Sequence, residues 1–178
     1  VHVPLGPCAR GAKLRKQHGR AHGSGPSLSR PPEMGMYVRP PKATDERETP
    51  DDLFARLNAE FHFTLDAAAS SLNAKCAKFF TIADDGLSQS WQGHVVWLNP
   101  PYSQSRRWVE KAYLESAMGA TVVCLLPSAT DTQWWHEYVA KGEIRFLRGR
   151  VQFKGMPSNA PFPSVIVVFW PYHIVPTA

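Results

Sequence analysis

Apolar residues fall in short blocks along this chain, and the spacing changes from block to block. Leu53, Phe54, Leu57 and Phe61 recur at helical spacing, which predicts a helix reaching about Phe61. Thr49-Pro50-Asp51-Asp52 marks its start: Thr49 as N-cap, Pro50 at the first helical position, and two acids facing the helix dipole. Phe63–Asp66 reads as a short strand, followed by the small residues Ala67-Ala68-Ala69-Ser70-Ser71. Residues 73–94 are irregular, with a candidate strand at Lys78–Thr81 and a turn at Asp84-Asp85-Gly86. Val95-Val96-Trp97-Leu98 and Thr121–Leu126 are continuous apolar runs of strand length, bounded by prolines. Between them, Ser105 caps a predicted helix carrying Trp108, Val109, Ala112, Tyr113 and Ala117, ended by Gly119. A shorter helix, capped by Thr130 or Asp131, bears Trp134, Trp135, Tyr138 and Val139. Glu143–Leu147, Val151–Phe153 and Val165–Trp170 read as three closing strands.

Strands alternating with helices require crossovers and hence parallel pairing, whereas the closing strands have connections short enough to pair antiparallel. The predicted class is α/β: a Rossmann-like sheet with mostly parallel strands and an antiparallel C-terminal edge. Ligands bind such sheets beyond the carboxyl ends of the strands. Asn99-Pro100-Pro101-Tyr102 stands at such an end, directly after the Val95–Leu98 run. Neither proline can donate to a ladder, so the chain must leave the sheet there. The Asn99 side-chain oxygen and the Pro100 carbonyl can accept from an exocyclic amine, with Pro101 shaping the corner. Tyr102 supplies a flat face on which a planar base can stack. Those residue types suit transfer of a methyl group to the amine of a base.

The chain has 178 residues, 43% hydrophobic and 20% charged, which suits one globular domain. Its net charge of +5 is unevenly spread: residues 1–42 hold eight Lys/Arg against Glu33 alone. We therefore expect a disordered basic leader over residues 1–44 and the folded domain over 45–178. No apolar run approaches a membrane span and no signal-peptide pattern is visible, so a cytoplasmic protein is expected. Cys8, Cys76 and Cys124 lack paired spacing, and the histidines lack ligand spacing, so neither a disulfide framework nor a metal is expected. Lys141, Arg145, Arg148, Arg150 and Lys154 form a basic cluster suited to phosphate contacts, and Arg106 and Arg107 lie beside the Asn99 motif.

From Thr49 to Trp170 the chain resembles the phage-type, Dam-like N-6-adenine DNA methyltransferases. The stretches that carry the likeness include Leu65-Asp66-Ala67-Ala68-Ala69, Asn73-Ala74-Lys75-Cys76, Asp85-Gly86-Leu87, Trp97-Leu98-Asn99-Pro100-Pro101-Tyr102, Trp134-Trp135-His136 and Pro161-Phe162-Pro163-Ser164. The resemblance implies an S-adenosylmethionine-dependent enzyme that methylates adenine in DNA; with double-stranded DNA as the expected partner, a base stacked inside the duplex cannot reach the methyl group, so flipping of the target adenine is expected. It implies amine-site roles for Asn99, Pro100, Pro101 and Tyr102. It implies cofactor contacts from Thr49, Pro50, Asp66, Ala67, Ala69, Ser70 and Asp85; the basic side chains Arg106, Arg107, Arg145, Arg148, Arg150 and Lys154 are the expected DNA contacts by their charge and position. The chain departs from the amino-methyltransferase pattern in having no Phe-x-Gly-x-Gly loop; Ala69 and Ser70 stand where glycines would be. Two alternatives remain open at this point: methylation of the cytosine amine, and a DNA-binding remnant without catalysis.

Overall fold

The computed structural model describes Asp45 and residues 47–172, so the expected leader over 1–44 lies outside the described residues. In chain order the elements are α1 (Asp51–Phe61), β1 (Leu65–Asp66), β2 (Val95–Leu98), α2 (Ser105–Ala117), β3 (Thr121–Pro127), α3 (Gln133–Glu137), β4 (Glu143–Phe146) and β5 (Ser164–Phe169). They form a mixed α/β fold around one five-stranded sheet in the order β1-β2-β3-β5-β4. β1, β2 and β3 are parallel, while β5 runs antiparallel to both β3 and β4.

Alternation along the strands explains the layering. Val96 and Leu98 of β2, Val122, Cys124 and Leu126 of β3, and Val165, Val167 and Phe169 of β5 face Trp108, Val109, Ala112 and Tyr113 of α2 and Trp135 of α3. The intervening Trp97, Val123, Leu125, Ile166 and Val168 pack with Leu53, Leu57 and Phe61 of α1. Helices therefore cover both faces, which is why β3 and β5 read as continuous apolar runs rather than as half-polar ones.

The expected mostly parallel sheet with an antiparallel edge is present, the reversed strand β5 lying between β3 and β4. Several other expectations are corrected. Val151–Phe153 is not a strand: the Val151 carbonyl accepts from Ala160 N within a loop, and Phe153 is buried there. Lys78–Thr81 forms only an isolated bridge, Phe79 against Asp66. Pro50, not Thr49, occupies the N-cap of α1, and Thr132 rather than Thr130 or Asp131 precedes α3. Ser105 is the first residue of α2, its hydroxyl donating to the Tyr102 carbonyl. No helix among the described residues is long and apolar enough to cross a membrane.

The topology places the site. β1 to β4 all run one way, so Asp66, Asn99, Pro127 and Leu147 emerge at the same edge of the sheet. β5 starts at that edge, so the connection from Leu147 to Pro163 must return across it.

Candidate active site at the carboxyl edge of the sheet

Asn99 has a two-sided amide. Its Nδ2 donates to the Arg47 carbonyl and, at 3.1 Å, to the Thr49 hydroxyl. A backbone carbonyl can only accept, so this contact fixes which end of the amide is nitrogen. The Oδ1 is consequently turned the other way, buried and without a hydrogen-bond partner among the described residues. Such an orphaned acceptor is costly unless something supplies a donor.

Tyr102 opens a short 3-10 turn directly after Pro101. Its ring meets Phe153 at 6.1 Å and Phe162 at 5.6 Å between centroids, both steeply tilted. Phe153 and Phe162 come from the Leu147–Pro163 connection and complete an aromatic box with Tyr102. Burial pushes the Tyr102 phenol well above its ordinary range, with the Arg47 charge opposing the effect, so the hydroxyl stays protonated. It lies 3.5 Å from the Leu125 carbonyl.

The residues assigned to a cofactor are partly gathered. Thr49, Asp66, Ala68, Asn73, Trp97 and Asn99 border one cavity of about 30 Å³, room for little more than water. The buried Asp66 carboxylate accepts from Lys75 N at 3.0 Å and Ala68 N at 3.4 Å, which folds the loop after β1. Desolvation raises its pKa, and those backbone bonds pull it down. Ser70 N donates to Asn73 Oδ1 at 2.7 Å, and Ala69 N donates to the Phe80 carbonyl. Asp85 is exposed with φ at 49°, and the adjacent Gly86 presses on the Ala67 carbonyl, 2.3 Å from where a Cβ would stand. A side chain at 86 would collide with backbone, so this glycine holds the Asp85 turn against the β1 loop. Ala67 is buried and Pro50 sits at the α1 cap.

The expected phosphate contacts divide. Arg145 pairs with Glu60 at 2.8 Å and Glu143 at 2.7 Å and lies over the Phe61 ring. Lys154 joins Lys75 in a network with Glu48 and Asp51, all at 2.7–3.2 Å. Both side chains are held in ion pairs within the protein while remaining partly exposed. Arg148 and Arg150 are exposed and, with Arg56 and Asp52, line an open groove of about 430 Å³ beside α1. Arg107 is exposed, and Arg106 makes only a loose 3.7 Å pair with Glu137. Lys141 lies over the Tyr113 ring. Among the described residues no cluster of His, Cys, Asp and Glu is arranged to hold a metal.

The sequence reading missed Arg47, Phe153 and Phe162 as members of the site. Pro161-Phe162-Pro163 just before buried β5 was the available signal: like Tyr102, Phe162 is an aromatic held by proline at a strand end.

Fold and site together define a mixed α/β protein whose sheet edge presents an unsatisfied hydrogen-bond acceptor beside an aromatic stacking surface. A sequence model of the family described as DNA N-6-adenine-methyltransferase (Dam) matches residues 39–175, more than half the chain. The chain belongs to this family. It is 35% identical over 100 residues to the DNA N-6-adenine-methyltransferase of Escherichia phage T1, covering 55% of this chain and 42% of that protein. It is 30% identical over 119 residues to the protein of the same name from Haemophilus phage HP1, covering 61% and 68% respectively. The chain thus spans less than half the length of the first relative and about two thirds of the second.

Proposed function

We propose that residues 45–178 form a Rossmann-like methyltransferase domain that transfers a methyl group from S-adenosylmethionine to the exocyclic amine of adenine in double-stranded DNA. The observation that carries this reading is the buried, unpaired Asn99 Oδ1. An adenine amine supplies the donor this oxygen lacks. Together with the Pro100 carbonyl it draws both amine protons into hydrogen bonds, frees the nitrogen lone pair from the ring, and aims it. When bound, S-adenosylmethionine supplies a methyl group already activated by its sulfonium. The residues assigned to such a cosubstrate adjoin the Asn99 corner, since Asp66, Ala68 and Thr49 border the same small cavity, and that cavity of about 30 Å³ must widen to admit it. Cofactor contacts are assigned to Thr49, Asp66 and the Ala67–Ser70 loop, with Asp85 at its rim and Pro50 fixing the approach of α1.

Alignment of the reactants is what this site contributes, and orientation can account for about 7–11 kcal/mol of a barrier. The amine proton leaves to water after transfer. A base stacked within a duplex cannot reach this corner, so the target adenine is flipped and stacked against Tyr102. Arg106, Arg107, Arg148 and Arg150 hold the phosphates on either side. The reaction belongs in the cytoplasm of a bacterial or phage-infected cell.

The test is methyl transfer from labelled S-adenosylmethionine to duplexes with and without adenine, by the wild type and Asn99→Ala. Label on adenine-containing duplexes alone, lost in the variant while cofactor binding persists, is the expected result. Label on duplexes lacking adenine points to the cytosine amine. Full activity of Asn99→Ala removes the motif from the chemistry.

A further inference from the structure

The aromatic box is already filled. The Arg47 guanidinium carbon lies 5.4 Å from the Tyr102 ring centroid, 5.5 Å from Phe153 and 5.0 Å from Phe162. We infer that Arg47 is a placeholder in the base seat, and that the target nucleobase enters by exchanging with its guanidinium. The inference rests on the methyl-transfer reading for the identity of the incoming group.

Three observations converge on exchange. First, a guanidinium is planar, delocalised and able to stack on rings, so it occupies the surface a base would use. Second, the seat satisfies arginine poorly: its Nε is buried with no hydrogen-bond partner among the described residues. The three rings offer faces and a single acceptor, the Tyr102 hydroxyl oxygen, which suits a neutral ring better than a fork of five donors. Third, the guanidinium lies within 5.0–5.5 Å of all three ring centroids, so no purine stacks on them while Arg47 stays.

The side chain can leave without unfolding its own segment. The backbone there is fastened independently: the Arg47 carbonyl accepts from Asn99, Lys154 N donates to the Glu48 carbonyl at 2.9 Å, and the Glu48 carboxylate pairs with Lys75 and Lys154. Rotation about the Arg47 side-chain bonds empties the box and leaves the Asn99 clamp in place. DNA favours the exchange twice, bringing a base for the rings and phosphates for the displaced cation. A free nucleoside brings only the first, so the placeholder discriminates against monomeric bases.

The probe is the deoxyriboside of 2-aminopurine, a fluorescent isomer of adenine that is quenched on stacking. Quenching is titrated with the wild type, Arg47→Ala, Arg47→Lys and Arg47→Ala/Tyr102→Ala, with circular dichroism checking the fold. We expect Arg47→Ala to bind at least tenfold more tightly than the wild type, and the double variant to lose that gain. Arg47→Lys keeps the charge without the planar head and should fall between; it also decides the matter if the alanine variant does not fold. Equal affinity in wild type and variants, or no binding to any of them, overturns the exchange. DNA methylation by the wild type is measured in parallel. Methylation with equal nucleoside affinities sinks the placeholder alone, whereas an opened box with no methylation of any duplex sinks the methyl-transfer reading alone.

Discussion

Thr49→Val is the sharpest perturbation of the Asn99 clamp. Thr49 is 2% exposed, and its hydroxyl is one of two acceptors for Asn99 Nδ2. Valine has nearly the same shape but cannot accept, so one amide N–H is left buried and unpaired. That costs about 1–3 kcal/mol. The added methyl group returns up to about 0.8 kcal/mol of burial. The net loss is therefore about 0.2–2 kcal/mol, and with a urea slope of about 2 kcal/mol per molar the midpoint falls by about 0.1–1 M. Tryptophan fluorescence in urea reads this directly. Turnover should fall about tenfold, because a weakening of the aligned state by about 1.4 kcal/mol is one decade in rate. The KM for DNA should hold, since the buried Thr49 hydroxyl contacts the Nδ2 side of the amide and not the Oδ1 that faces the base. Thr49→Ser keeps the hydroxyl and should restore both quantities. If valine and serine behave alike, or if valine leaves midpoint and turnover untouched, Thr49 does not set the amide.

Arg148→Gln with Arg150→Gln should flatten the dependence of DNA binding on salt, the logarithmic slope falling by about 0.9 for each phosphate that is no longer neutralised; an unchanged slope takes the groove beside α1 out of the interface. The Glu48–Asp51–Lys75–Lys154 network should let go in acid. Hydrogen bonds from Lys75 and then Lys154 hold the Asp51 carboxyl at about 2, below its ordinary 3.8, and those from Lys154 and then Lys75 lower Glu48 against its desolvation. A depressed folded-state pKa contributes stability that is complete above about 3.8 and is lost as pH falls through about 2. Carboxyl NMR should find the Asp51 midpoint near 2, and a midpoint near 3.8 shows that the network does not form.

What could be read in advance was what is local. Val95–Leu98 and Thr121–Leu126 announce themselves because strands covered on both faces carry no polar alternation, and Trp108, Val109, Ala112 and Tyr113 announce α2 by their period. Val151–Phe153 has the same local look as a strand, but whether a ladder partner lies alongside is decided by distant segments, and β5 takes that place between β3 and β4. Thr49 resembles an N-cap in Thr-Pro-Asp-Asp, yet its hydroxyl meets a side chain 50 positions away. The aromatic box draws rings from two separate segments and its occupant from a third. Only the position of the Asn99 corner was legible, because a strand end followed by two prolines is a local fact with a spatial consequence.

The two prolines also explain why Asn99 Oδ1 stays free. An asparagine side chain commonly closes a turn by accepting from the backbone N–H two residues ahead. Here that residue is Pro101, which has no N–H, and Pro100 has none either. The corner is thus built so that the oxygen cannot satisfy itself and must wait for an external donor. Pro101→Ala restores the missing N–H, and the observed φ of −59° and ψ of 120° suit alanine. The new bond should add about 0.5–1.5 kcal/mol. Loss of proline's restraint on the unfolded chain should remove about 0.4–1 kcal/mol. Stability is therefore expected to change little, while methyl transfer drops because Oδ1 is now occupied by the protein itself. Urea denaturation and turnover measured on the same preparation separate the two effects. A folded Pro101→Ala enzyme that turns over like the wild type would mean that the unpaired oxygen is incidental to the reaction, and the prolines only a rigid corner.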